Sequence, residues 1–289
     1  MSRDAVGSGI ASATDTRPAT VITEDRSCAM QRPILDLFST QTANGWEKRD
    51  PAVPATAWTP QMRTQYEQAA AAMRSAAEQL MPAAKLTPHR VMRELYEQFI
   101  AYARSYADSV PTYTATADNF ALVANSAADA IGYICASIST GSADARGPLI
   151  APRDAPSPLP SVAALNDPRR FLVEPNPICA EWDTLVTDYS SASAAWRATD
   201  SRIPASRWTP EQRAVNHAVV PVMERFADQA HELGQRSNNP TFQDFADLGA
   251  QYRAAVALAL PTYTQADDYL ASVAARLSGL ISAACWALA

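Results

Sequence analysis

Lysine is almost missing from this chain: Lys48 and Lys85 are the only two among 24 basic residues, so 24 − 2 = 22 are arginines. Those arginines form no stripe or cluster, and the formal net charge is −6 with the signs interleaved. Nucleic acid is thereby excluded as a partner, because phosphate backbones are bound by concentrated positive charge. Histidine is equally scarce, with His89, His217 and His231 making up the whole supply. No uninterrupted apolar run approaches the ~18–20 residues of a membrane span. The opening stretch from Met1 to Pro18 also lacks the apolar segment of a signal peptide. A membrane is therefore expected to be met only through a segment not in this chain. The G-x-S-x-G, Walker-type and G-x-G-x-x-G patterns are absent, which removes the commonest nucleophile and phosphate-binding loops.

What the chain has is alanine. Hydrophobic residues make up 47% of it, in long blocks poor in glycine and β-branched residues, a composition that favours helix. At 289 residues there is enough chain for two domains of ordinary size, each with its own core.

One stretch occurs twice. Trp58-Thr59-Pro60, Pro111-Thr112-Tyr113-Thr114 and Cys135 recur as Trp208-Thr209-Pro210, Pro261-Thr262-Tyr263-Thr264 and Cys285, each 150 positions on. Ordered matches at a single offset indicate a duplicated unit. Apolar stripes and caps resolve each unit into four helices. In the first, a helix is expected near 28–47, followed by one opening at Thr59-Pro60, one at Thr87-Pro88, and a fourth capped by Thr114 or Thr116. In the second, Thr209-Pro210-Glu211-Gln212 completes a capping box, Gly234 is a stop, and Pro221 is expected to kink or unwind its helix. The fold class expected is all-α: a tandem duplication of a four-helix up-down-up-down bundle. Its parts are a disordered tail or stalk (1–27), bundle repeat 1 (28–138), a Pro-rich linker (139–178) and bundle repeat 2 (179–289). The linker carries eight prolines, at 148, 152, 156, 158, 160, 168, 175 and 177.

A cysteine stands at the start of the first helix and near the end of the fourth in each unit. In an up-down-up-down bundle those two points lie at the same end, on neighbouring helices. Of the three connectivities open to four cysteines, the duplication selects Cys28–Cys135 and Cys179–Cys285. The alternative is four buried free thiols. Disulfides persist in oxidising compartments, which points outside the cytoplasm.

Catalytic and metal constellations are not found. His217, Glu224 and His231 share a helix face but are seven residues apart, about 10.5 Å of rise, too far for one ion. The carboxylate pairs Glu94/Glu97 and Asp244/Asp247 read as solvated faces, since the Glu-x-x-His partners of di-iron bundles are missing. Asp118 and Asp267-Asp268 read as helix-start charges. No cofactor is expected. Trp58, Tyr113, Trp208 and Tyr263 read first as framework; a binding surface, if the chain has one, is sought at these four or in the groove between the bundles.

The Ala/Arg-rich bias, the Thr/Pro-rich tail before Cys28 and the cysteine-clamped helical unit together resemble exported, membrane-tethered all-helical proteins of actinobacteria. The resemblance carries no functional residues with it. The expected function is a non-enzymatic extracytoplasmic interaction or scaffolding module of the cell envelope, with a protein partner. The alternative is a carrier of an apolar ligand such as a lipid.

Overall fold

The computed structural model describes residues 9–162 and 164–288. The expected tail's first eight residues lie outside the described residues, as do Ala163 of the expected linker and Ala289. Every regular element among the described residues is helical. The first half holds α1 (Cys28–Thr42), α2 (Pro60–Leu86), α3 (Arg90–Ser109) and α4 (Asp118–Ser139). A short α5 (Ser142–Arg146) leads into the proline-rich segment. The second half holds α6 (Ile178–Ala192), α7 (Ala194–Arg197), α8 (Pro210–Arg236), α9 (Pro240–Ala259) and α10 (Asp268–Trp286). The bounds repeat: Pro60 and Pro210 open α2 and α8, and Asp118 and Asp268 open α4 and α10, with 210 − 60 = 268 − 118 = 150.

Packing follows the sequence order. α1 touches α2, α2 touches α3, α3 touches α4, and α1 returns to α4; α6, α8, α9 and α10 make the same circuit. The most extensive helix–helix contact joins α4 to α10, and α3 also meets α9, so one continuous apolar core runs through both halves. By length and composition α4 and α10 pass as membrane spans, with mean hydropathies of 1.4 and 1.2. That apolarity goes into their mutual packing. Both expected disulfides are present, Cys28–Cys135 and Cys179–Cys285, each joining the first helix of its half to the last.

Several local expectations are corrected. α1 ends at Thr42, because Gly45 adopts φ +99° and a Cβ there would stand 2.5 Å from the Gln65 amide nitrogen. Trp46–Lys48 then forms a separate 3-10 turn. Pro221 lies inside a helix continuous from Pro210 to Arg236. The carbonyl it frees belongs to His217, an exposed residue on the outer face of the helix. Gly234 is no stop either: it lets α9 close on α8, where a Cβ would sit 3.2 Å from Ala246. The left-handed residue that ends the helix is Asn238, at φ +52°.

The larger correction concerns the segments expected as tail and linker. Residues 9–27 lie packed in the molecule, with Ser12, Ala19, Val21, Ile22 and Ser27 buried. The Ala11 amide donates to the Lys85 carbonyl at 2.9 Å, and the Ile22 amide to the Tyr252 hydroxyl at 3.3 Å. The proline-rich segment is likewise laid across α3 and α9. Leu165 and Leu172 are buried, and the Phe171 ring meets Tyr102 and Phe245 at centroid distances of 6.2 and 5.5 Å. An extended, proline-rich chain has carbonyls without ladder partners. Side-chain amides supply them: Gln98 donates to Arg169, Gln251 to Ala151 and Asn239 to Phe171. Both segments looked featureless in sequence because these contacts are made one residue at a time, with no period.

Candidate functional site

The repeated stretch is one wiring scheme built twice. The Ala55 amide donates to the Tyr113 carbonyl at 3.1 Å, and the Ala205 amide to the Tyr263 carbonyl at 2.9 Å. The Trp58 indole N–H caps the Val53 carbonyl and that of Trp208 caps Ile203, both at 2.9 Å. The tyrosine hydroxyls close the loop before each tryptophan, Tyr113 onto Pro51 and Tyr263 onto Ser201. Thr59 and Thr209 cap α2 and α8 through Oγ1. Trp58 and Tyr113 are brought together at 5.3 Å, and Trp208 and Tyr263 stack at 5.8 Å, each pair within its own half. Trp58, Tyr113 and Tyr263 are buried and Trp208 half-buried. The four side chains thus stitch the start of one helix to the turn before another, their indole and phenol groups spent on backbone carbonyls and, for Tyr113, on the Asp118 carboxylate at 3.1 Å as well.

The chemistry sits elsewhere, where α3 meets α9. Arg90, Arg93, Glu94, Glu97, Asp244 and Asp247 are all buried, not solvated as expected. Arg90 holds Asp244 bidentately across the junction, Nη2 to Oδ1 at 2.6 Å and Nε to Oδ2 at 2.8 Å. Arg93 holds Glu97 at 3.0 Å, and the His231 ring on α8 meets Asp247 at 2.6 Å. The N-terminal segment closes the cluster: Arg90 Nη1 donates to the carbonyls of Asp15 and Arg17, and Arg93 Nη1 to that of Ser12. Both carboxylate oxygens of Glu94 lack a hydrogen-bond donor.

Four buried carboxylates face two arginines, and burial punishes the excess negative charge. Burial and the neighbouring Asp244 push Glu94 well above the usual carboxylate range. Burial raises Glu97 to about 7 against the pull of Arg93, and Asp247 to about 6 against that of His231. Asp244 is raised in the same sense. Glu94 and Glu97 stand 150 positions before Asp244 and Asp247, so the two halves of the chain bring equally spaced acids to the junction of α3 and α9. That conserved spacing, with Arg90 and Arg93 four residues before the two glutamates, was the available signal. Their helix face is buried where α3 meets α9 and where the N-terminal segment closes over Arg90 and Arg93. Asp118 and Asp267 are ion-paired at the openings of the last helices, with Arg49 at 2.6 Å and Arg146 at 3.3 Å. Among the described residues no three His, Cys, Asp or Glu side chains stand close enough to hold a metal ion.

A family model described as "Mycobacterial ESX-1 associated protein" matches residues 10–289. The chain belongs to this family. A relative described as an uncharacterized protein of Mycolicibacterium smegmatis (strain MKD8) is 50% identical over 289 residues, covering 100% of this chain and 77% of the relative. No solved structure matches. The match to the mycobacterial ESX-1 associated family includes the N-terminal segment from residue 10, which lies within the fold and supplies the carbonyls that hold Arg90 and Arg93. The actinobacterial resemblance is thus met at the level of family.

Proposed function

We propose that the protein is a non-enzymatic, extracytoplasmic scaffolding or interaction module that works with the ESX-1 secretion system. On this reading its architecture is a tandem duplication of a four-helix up-down-up-down bundle whose copies have fused through α4 and α10. The observation that carries the proposal is the joining of an ESX-1 associated family to a chain with every cysteine in a disulfide. Covalent clamps closing loops of 107 and 106 residues suit a protein that must hold its shape outside a reducing cytoplasm. The non-enzymatic reading is supported by the use of the titratable side chains. At the junction Asp244, Glu97 and Asp247 are paired with Arg90, Arg93 and His231, and all the acids and arginines there, Glu94 included, are buried away from a substrate. The partner is then a protein of the secretion apparatus.

The test is fractionation of the native host with in-cell crosslinking through this chain. Recovery in the envelope or secreted fraction, crosslinked to ESX-1 components, supports the reading. Recovery in the cytosol with four alkylatable thiols before any reductant is added overturns it. The carrier reading is favoured by one observation, an apolar cavity in the second half.

A further inference from the structure

Between α6, α7 and the helices α8 to α10 lies a half-open cavity of about 230 Å³. Its walls are largely apolar, built from Val186, Trp196, Met223, Phe226 and Val256, with two arginines among them: Arg253 of α9, which is buried, and Arg197 of α7, which is exposed and donates to Ser190. The Arg253 guanidinium is 6% exposed and has no carboxylate within salt-bridge reach among the described residues. It lies over the rings of Tyr189 at 4.0 Å and Phe226 at 4.3 Å. Its Nη2 makes two long hydrogen bonds, 3.4 Å to the Ala274 carbonyl and 3.3 Å to Ser278 Oγ. Its Nε has no acceptor, and the buried Tyr189 hydroxyl has no partner. The other buried arginines, Arg90 and Arg93, both hold carboxylates. A buried cation without a counter-ion is unfavourable even between two aromatic faces, so an anion beside this one would be stabilised.

The cavity exists because the copies differ. The position 150 before Arg253 is Ala103, and the one before Val256 is Tyr106. In the first half Trp46 is buried and its indole donates to the Tyr106 hydroxyl at 2.6 Å, which closes the space beside α3. In the second half Val256 is too short to meet Trp196, which stays half-buried at the cavity wall. The cleft between α1 and α4 in the first half is a wider groove of about 880 Å³ with charged walls, and it does not reach α3.

We propose that this cavity binds a medium-chain carboxylic acid, its carboxylate paired with the Arg253 guanidinium and its chain lying along Val186, Trp196, Met223 and Val256. An engineered apolar cavity of ~150 Å³ takes a benzene ring; on that scale this one takes roughly nine carbons. Arg presents a donor fork that suits a carboxylate, and the aromatic faces on either side keep water from competing. The site stands independently of the scaffolding reading.

The test is calorimetric titration of the full chain with sodium octanoate and, separately, with 1-octanol at pH 7. Octanoate is expected to bind at least about tenfold more tightly, the worth of one charge-assisted pair. In Arg253→Met that preference is expected to fall to near unity while octanol binding stays. No heat from octanoate up to solubility, or equal affinity for acid and alcohol in the unaltered protein, overturns the proposal. The comparison of the two ligands on the unaltered chain holds even if the variant fails to fold.

Discussion

At the scale of residues the junction between α3 and α9 decides the protein's response to pH. Glu97 and Asp247 titrate near 7 and 6 in the folded chain because burial disfavours their charge. Each therefore binds its proton more tightly folded than unfolded. The stabilisation is complete below about pH 4, where both states are protonated, and is lost as pH rises through 6 to 7. The expected outcome is a melting temperature that falls between pH 5 and pH 8, and a shallower fall in Glu97→Gln, read by scanning calorimetry. Asp15 acts in the opposite sense: despite its burial, hydrogen bonds from Arg17 and the Arg90 amide hold it below its usual range, so its contribution is lost only in stronger acid. Asp244→Asn breaks the bidentate pair and leaves Arg90 buried with half its partner. A loss of about 3 kcal/mol in urea unfolding is expected, as for removal of one member of a buried ion pair.

At the scale of elements the proline-rich segment behaves as part of the fold. Phe171 is its anchor, set among Tyr102, Phe242 and Phe245 and held by Gln98 through a backbone hydrogen bond at 2.9 Å. Truncating a ring packed this way costs about 3 kcal/mol. Part of that cost falls on the segment itself, which is otherwise held by Leu165, Leu172 and single side-chain hydrogen bonds. Phe171→Ala is expected to speed proteolytic cleavage between residues 150 and 177 at least several-fold, seen by limited digestion, with the helices left intact. Unchanged cleavage would show that the side-chain amides alone hold the segment.

At the scale of the whole molecule the shared core and the disulfides set stability. A core continuous from α1 to α10 predicts one cooperative unfolding transition, where two independent bundles would give two. Each disulfide closes more than a hundred residues, for which the chain-entropy model gives roughly 4–5 kcal/mol. Reduction with alkylation is expected to lower the unfolding free energy by several kcal/mol, and reducing one bridge at a time by about half of that.

The linear chain by itself determined the helices, because caps, prolines and apolar stripes act over a few residues. It determined the cysteine pairing too, since a repeat spacing of 150 and the antiparallel order of short-looped helices leave one sensible partner for each thiol. It also placed Trp58, Tyr113, Trp208 and Tyr263 as helix entries and turns. The tertiary structure alone decided that α4 lies on α10, because an amphipathic stripe declares a buried face without naming what buries it. Other features were equally illegible. Glu94, Glu97, Asp244 and Asp247 moved from water into the core, residues 9–27 and the proline-rich segment became walls, and Arg253 came to face a cavity with no counter-ion. Such features depend on what stands opposite in space, and local pattern carries no record of that.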